Sequence, residues 1–296
     1  MKLSFKIVGF LVLFSLLESP AKAQLTPLAA QYYQNKYLAN PAMAGIDGGM
    51  RLNVGFRNQQ SSIKGSWKNT SVTADFRLKN VGIGVNLYKD EAGLLDRTKM
   101  VATYAYHLDL NQVDQKLHFG LSLGIQRGNL NVPGIEGDAE DAQALEYNAR
   151  ETIIDGDFGI AYTFRDFTLE GAFINAKKQL RKEDPDAADY TTFYAAASYV
   201  FIVNESFFTP KVAYRGIRNY VDVWDVGAEL KNPTEQLAVS ALYHSTHSFT
   251  LGLSYLHNNQ IQLIGLYNSP TSAQKAYSRG SFEIGLQLRL FPERDY

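Results

Sequence analysis

The 296 residues carry 29 Lys and Arg against 30 Asp and Glu, a formal net charge of −1, and no cysteine. That balance gives no electrostatic case for nucleic acid or another polyanionic partner. The lack of cysteine excludes a disulfide scaffold, thiol catalysis and thiolate metal centres, and no cofactor is implied.

The chain opens with Lys2 and Lys6, an apolar run over Ile7–Leu17, and the small-residue pattern Ala21-Lys22-Ala23. This reads as a secretory signal peptide over 1–23, cut before Gln24. The run is shorter than the roughly 20 residues of a membrane-spanning helix; an uncleaved anchor is the alternative. No cysteine follows the cut to accept a lipid.

Residues 24–49, QLTPLAAQYYQNKYLANPAMAGIDGG, are rich in Ala, Asn, Gln and Tyr and hold no sustained period. They are read as an N-terminal periplasmic or plug segment, irregular, with a short helix before Asn40-Pro41. Pro41 fixes its own φ and keeps Asn40 out of the helical region, while Gly45, Gly48 and Gly49 permit a sharp entry into the first strand. Two roles stand side by side: a structural plug, or a surface offering Tyr32, Tyr33 and Tyr37 to a periplasmic partner.

From residue 50 onward the pattern changes to strict alternation, the signature of strands with two unlike faces. Leu52, Val54 and Phe56 oppose Arg51, Asn53, Gly55 and Arg57. Val81, Ile83, Val85 and Leu87 oppose Gly82, Gly84 and Asn86, and Phe282, Ile284, Leu286, Leu288 and Leu290 oppose Glu283, Gly285, Gln287 and Arg289. Similar segments recur between them, giving about fourteen strands. The expected fold is all-β: a transmembrane antiparallel β-barrel over 50–296, with the irregular segment ahead of it. About ten residues at ~3.4 Å rise and ~40° tilt cover roughly 26 Å, close to the ~25 Å apolar band of an outer-membrane barrel.

The joints support the same reading. Odd-numbered ones, such as Tyr88–Thr98, 128–153 and 268–279, are mostly long, and even-numbered ones are short turns. External loops alternating with tight periplasmic turns give this rhythm, and both termini are then expected on the periplasmic side. Aromatics near strand ends, among them Tyr88, Tyr106, Tyr162 and Tyr267, fit an interfacial girdle. Alternation sends Arg51, Arg57, Asp75, Arg77, Glu170, Asp225, Glu229, Glu283 and Arg289 to the lumen.

No catalytic or metal constellation stands out, and the chain is not expected to be an enzyme. His244 and His247 in HSTH fall in an expected external turn with no Cys or carboxylate beside them in sequence. Ser245 or Ser248 with His257 lacks a G-x-S-x-G. Acidic stretches at 136–141 and 183–189 read as solvated loop tips.

The stretch QYYQNKYLANPAMAG (31–45), followed by a first strand ending in Arg57-Asn58-Gln59, resembles the opening of the PorP/SprF family of Bacteroidota outer-membrane proteins. VGIGVNLYKDEAGLLDRTKMVATYAYHLDL, KLHFGLSLGIQRG and FEIGLQLRLF fit the same family. The resemblance implies an outer-membrane barrel of the type IX secretion and gliding apparatus. Such a barrel docks a secreted adhesin or effector, through that protein's C-terminal domain, for export or surface attachment, with a peptidoglycan-linked periplasmic component as a second partner. It also marks Tyr33, Tyr37, Asn40, Pro41 and Gly45 as partner-binding candidates. Three rivals remain at this level: a passive outer-membrane channel for small solutes, an outer-membrane hydrolase, and a soluble β-sandwich.

Overall fold

The computed structural model describes residues 30–59, 66–110, 114–130, 148, 152–176, 190–218, 221–271 and 279–291. The expected signal peptide and the acidic stretches 136–141 and 183–189 lie outside the described residues.

Among the described residues fifteen strand segments follow one another: β1 Met50–Gln59, β2 Lys68–Leu78, β3 Val81–Ala92, β4 Leu95–Asp109, β5 Gln115–Leu130, β6 Ile153–Phe164, β7 Phe167–Phe173, β8 Tyr190–Tyr199, β9 Phe201–Val203, β10 Ser206–Arg218, β11 Val223–Lys231, β12 Leu237–His244, β13 Ser248–His257, β14 Ile261–Asn268 and β15 Ser281–Leu290. β8 and β9 are two pieces of one stave. Between them Val200 stays in register with the β7 side, its amide donating to the Asp166 carbonyl at 3.0 Å, while β10 pairs with both pieces, its ladder interrupted only where Pro210, which has no N–H, stands opposite. Fourteen staves result, and every neighbouring pair is antiparallel. The ring closes because β10 pairs with β11 and β15 pairs with β1, from Met50↔Leu290 to Gln59↔Ser281. Closure leaves no sheet edge to be solvated, which a bilayer interior demands.

An even number of staves puts the start of β1 and the end of β15 on one rim. Tight turns gather there, with Lys79, Arg165, Asn204, Glu205, Asn258 and Asn259 all at positive φ between 48° and 65°. This is the turn rim; the opposite rim carries the longer joints. One joint of the loop rim is much shorter than the alternation rule leads one to expect. The segment 88–98 is not a loop: β3 continues to Ala92, β4 starts at Leu95, and only Gly93 (φ 61°) and Leu94 turn the chain. Lys89 pairs with Glu91, and Asp90 accepts from Trp67 Nε1 at 3.1 Å and Asn69 Nδ2 at 2.5 Å. Beyond the hydrocarbon a strand still needs its ladder but no longer needs apolar side chains. Charge there marks the end of the membrane, not the end of the strand.

The faces settle what surrounds the cylinder. Leu123 and Ile284 are 66% exposed and Phe282 is 63% exposed, whereas Glu283 is 1% and Arg215 0% exposed. A water-soluble protein buries the first kind and exposes the second. This one is inverted, so the outer face is solvated by acyl chains. Among the described residues no helix is long and apolar enough to cross a membrane; the crossing is made by strands.

The segment ahead of β1 lies inside the ring. Three short 3₁₀ turns, Gln31–Tyr33, Lys36–Leu38 and Pro41–Met43, form a compact body whose residues are mostly buried. It runs from Ala30, whose amide meets Glu283 near the loop-rim end of β15, down to Gly49 and Met50 at the turn rim.

Candidate functional site

Among the described residues, backbone, charge and shape converge in the lumen, and the residues 30–49 plug it. Its centre is Asn40-Pro41-Ala42. Asn40 is extended (φ −143°, ψ 114°), as a residue before proline must be. Its Oδ1 accepts from the Ala42 amide at 3.0 Å, capping the third turn, and its Nδ2 donates to the Ile160 carbonyl of β6 at 3.2 Å. Asn40 thus closes one turn of the plug and fastens it to the wall with a single side chain.

The wall is cut to fit. A Cβ on Gly82 would lie 2.0 Å from the Ala44 carbonyl oxygen, and one on Gly84 2.6 Å from the Tyr37 ring. On Gly120 it would lie 2.2 Å from Ala42 N and Pro41 C, and on Gly159 2.1 Å from Asn40 Oδ1. Glycine inside a strand weakens it and marks a close approach of another backbone. Here four of them make the seat of the plug.

The plug is then tied at many points. The Tyr37 hydroxyl donates to Thr103 Oγ1 (2.8 Å) and Asn35 Nδ2 to Thr73 Oγ1 (2.8 Å). The Tyr33 hydroxyl donates to the Thr209 carbonyl at 3.2 Å, and the Gly45 amide to Asp75 Oδ2 at 2.9 Å. Gln34 Nε2 reaches Glu229 Oε2 at 2.6 Å. Arg215 and Lys211 lie 5.1 and 5.5 Å from the centroid of the Tyr32 ring, whose hydroxyl donates to Asp225 Oδ2 at 2.5 Å. Cations over an aromatic face attract it electrostatically, the more so when water is absent. Burial pushes the Tyr32, Tyr33 and Tyr37 hydroxyls up in pKa, so each stays a neutral donor.

Asp225 also starts a belt with one residue on each of five staves. His244 Nδ1 meets Asp225 Oδ1 at 2.6 Å, His244 Nε2 meets Thr250 Oγ1 at 2.7 Å, and Thr250 donates to Asn268 Oδ1 at 2.5 Å. Asn268 Nδ2 donates to Glu283 Oε1 at 2.7 Å, and Glu283 accepts the Ala30 amide at 3.2 Å. Both ends of the belt therefore hold the plug. Its Asp-His-Thr portion has the spacing of a nucleophile triad. Thr250 is 0% exposed, however, and its hydroxyl is committed to Asn268. No substrate reaches that oxygen. His244 and His247 do not form a pair: the first faces the lumen, and the second, in the turn, meets the Tyr243 hydroxyl at 3.2 Å.

On the other side of the plug, His107 Nε2 donates to the Ala44 carbonyl at 3.0 Å and His118 Nδ1 donates to His107 Nδ1 at 2.7 Å. His118 Nε2 then accepts from Thr163 at 2.9 Å, an arrangement complete with both rings neutral.

All five motif residues lie buried inside this assembly. Tyr33 and Tyr37 spend their hydroxyls on the wall, Asn40 divides its amide between Ala42 and the wall, Pro41 lies against Gly120, and Gly45 (φ 74°) packs on Gly82. Of the nine charged residues alternation sends inward, six contact the 30–49 segment: Arg51 pairs with Asp47, Asp75 binds Gly45, Arg77 reaches the Ile46 carbonyl, Asp225 binds Tyr32, Glu229 binds Gln34 and Glu283 binds Ala30. The other three brace the wall: Arg57 lies 3.5 Å from Glu283, Glu170 3.8 Å from Lys211, and Arg289 Nη2 3.2 Å from Gln262.

The plug splits the lumen. A chamber of about 140 Å³ lies on its loop side, between residues 37–41 and the upper parts of β3 to β6. Spaces of about 470 and 310 Å³ lie on its turn side.

The family model described as type IX secretion system membrane protein PorP/SprF matches residues 21–288. The chain belongs to that family. As a PorP/SprF protein it is an outer-membrane barrel of the type IX secretion system. No curated protein matches the chain. Among solved structures it is similar to the outer membrane protein Omp33 of Acinetobacter baumannii, with a TM-score of 0.52, 8% identity, and coverage of 83% of this chain and 100% of that one. It is also similar to the CymD monoaromatic hydrocarbon channel, with a TM-score of 0.52, 13% identity, and coverage of 91% and 95%. At such identity the likeness is one of fold alone. Within the PorP/SprF chain, Gly120, Gly159, Thr73, Thr103 and Arg215 are what motif reading leaves out, while Gly82, Gly84 and His244 are visible in sequence without their contacts inside the lumen. The four glycines, all on the polar face of strands, are the signal that could have found the seat.

Proposed function

We propose that this barrel is a non-enzymatic docking platform that holds a secreted protein or adhesin, through its C-terminal domain, for export or surface attachment, in gliding or related surface display. The single observation that carries the reading is the filled lumen. A fourteen-stave cylinder is occupied by its own residues 30–49 through contacts with most of the wall, and a platform needs a rigid, sealed body where a solute channel needs an open one. The passive channel is therefore the weaker reading. In the orientation that goes with docking, the loop rim faces outward toward the cargo, and the turn rim, where β1 starts and β15 ends, faces a peptidoglycan-linked periplasmic component.

The test is deletion of the gene for this barrel from the native cell, with surface proteins compared by mass spectrometry. The expected result is loss of one exported protein from the surface, restored by the wild-type chain, while other type IX cargo stays in place. An unchanged surface with loss of uptake of a small solute would overturn the docking reading.

A further inference from the structure

The two spaces on the turn side of the plug differ in charge. The larger, of about 470 Å³, is balanced, with four cationic and four anionic side chains in its lining. The smaller, of about 310 Å³, is not. Lys36, Arg77, Lys116 and Arg165 line it, against Asp47 and Asp114. Two of these charges are already matched, since Asp47 pairs with Arg51 and Lys116 Nζ lies 3.2 Å from Asp109. Among the described residues no carboxylate lies within ion-pair distance of the other three cations. Arg77 donates Nε–H to the Lys79 carbonyl at 2.8 Å and Nη1–H to the Ile46 carbonyl at 3.4 Å, and Arg165 lies 5.3 Å from the centroid of the Phe164 ring. Three cations thus share one carboxylate, Asp114.

Like charges at the mouth of a low-dielectric lumen repel one another, and a cleft lined by one sign focuses its field into the space before it. All three cations can be reached from that space: Lys36 and Arg77 are half-buried and Arg165 is exposed. The charge calls for an oxyanion, and guanidinium forks suit carboxylate or phosphate. The floor separates the two sources. Met43 and Ile46 of the plug lie there, and they offer apolar surface to the stem of an acidic side chain and nothing to a hydrated inorganic anion. Lipid phosphates stay on the other side of the wall, beyond the outward-facing Phe76 and Leu169.

We propose that this vestibule is a socket for an acidic side chain of a periplasmic protein, whose carboxylate lies among Lys36, Arg77 and Arg165 while its stem rests on Met43 and Ile46. The carboxylate chemistry follows from the lining alone; the periplasmic source rests on the orientation that goes with docking. Lys36 belongs to the plug, and Arg77 and Arg165 belong to the wall. The bound carboxylate therefore bridges plug and wall and favours the plugged state.

The experiment titrates the purified full-length barrel in detergent into a fluorescently labelled tetraglutamate peptide at constant ionic strength, read by anisotropy, with tetraglutamine for comparison. The expected result is saturable binding of tetraglutamate alone. Lys36→Gln and Arg165→Gln, each checked for its folded band in unboiled gels, should weaken it about 10-fold, the worth of one charge-assisted hydrogen bond. Lys89→Gln, at the opposite rim, should leave it unchanged. No binding, or equal affinity in wild type and both vestibule variants, overturns the socket and leaves docking of an exported protein standing. Displacement of the peptide by an equal concentration of inorganic phosphate makes the ligand a free anion and overturns the acidic peptide. The source is tested separately with Thr168→Cys, in the vestibule wall of a chain that has no other cysteine. A membrane-impermeant maleimide should label it only after the outer membrane is opened. Labelling in intact cells would place the vestibule outside and overturn the periplasmic source together with the docking orientation, whatever the peptide does.

Discussion

Gly120→Ala adds a single methyl group, and its effect follows from the geometry. The new Cβ would lie 2.2 Å from Ala42 N and Pro41 C, where ordinary contact begins at 3.4 Å, so the plug backbone must retreat by about 1.2 Å. Neither atom belongs to a side chain that can swing aside. Retreat stretches the Asn40–Ala42 cap of 3.0 Å and the Asn40–Ile160 bond of 3.2 Å. Overpacking plus two weakened hydrogen bonds comes to about 3 kcal/mol, on the order of a 100-fold gain in the population with the plug unseated. The strand itself gains, because alanine suits it better than glycine. The chain has no cysteine, so Met43→Cys, at a site 1% exposed, is a clean reporter. Its maleimide labelling in detergent should be slow in the otherwise wild-type barrel and on the order of 100-fold faster with Gly120→Ala. Gly265→Ala, where a Cβ would meet nothing within 4 Å, is the control. Equal labelling in the Gly120 and Gly265 variants would refute the seat.

Three further outcomes are expected. Leu123→Arg, at a lipid-facing site near the middle of β5, should cost about 2–4 kcal/mol in refolding into lipid vesicles followed by denaturant titration; near the interface the same change costs about 0–1. Arg127 already stands on that face four residues nearer the loop rim, so equal tolerance at both depths would contradict the facing. Asp225→Ala strands Arg215 without its 2.8 Å partner and cuts the belt at its origin. A loss of about 3–5 kcal/mol is expected, read as a lower melting temperature of the folded band, and a change under 1 kcal/mol would mean the network is not holding the wall. Asn40→Ala with Pro41→Ala should loosen the plug, as seen by Met43→Cys labelling, while leaving membrane insertion intact. A variant that labels as slowly as wild type would show that Asn40 does not fasten it.

Much of the barrel was legible because membrane insertion is a severe constraint. Every stave must alternate, and Phe282, Glu283 and Ile284 reveal both faces within three residues. What stayed hidden was whatever depends on partners far away in sequence. Asp225 and His244 read as a lumen carboxylate and a turn histidine, and only the register of β11 against β12 brings them to 2.6 Å. The β3–β4 hairpin reads as a loop because Lys89, Asp90, Glu91, Asp96 and Arg97 break the apolar alternation, whereas in the structure they mark only where the hydrocarbon ends. Gly82 and Gly84 read as a small lumen-facing alternation, yet nothing in their own strand tells that Ala44 and Tyr37 fill the space. The Asn-Pro motif pointed to a special bend, and its purpose became visible only with Ile160, Gly120 and Gly159 around it.

The central claim is that this membrane cylinder is sealed by its own N-terminal segment. Single-channel recording in a planar bilayer tests it most directly, with the intact chain beside one lacking residues 30–45. The expected result is a silent intact barrel and a steady ion conductance from the shortened one. A stable open conductance from the intact barrel, unchanged by the deletion, would contradict the claim.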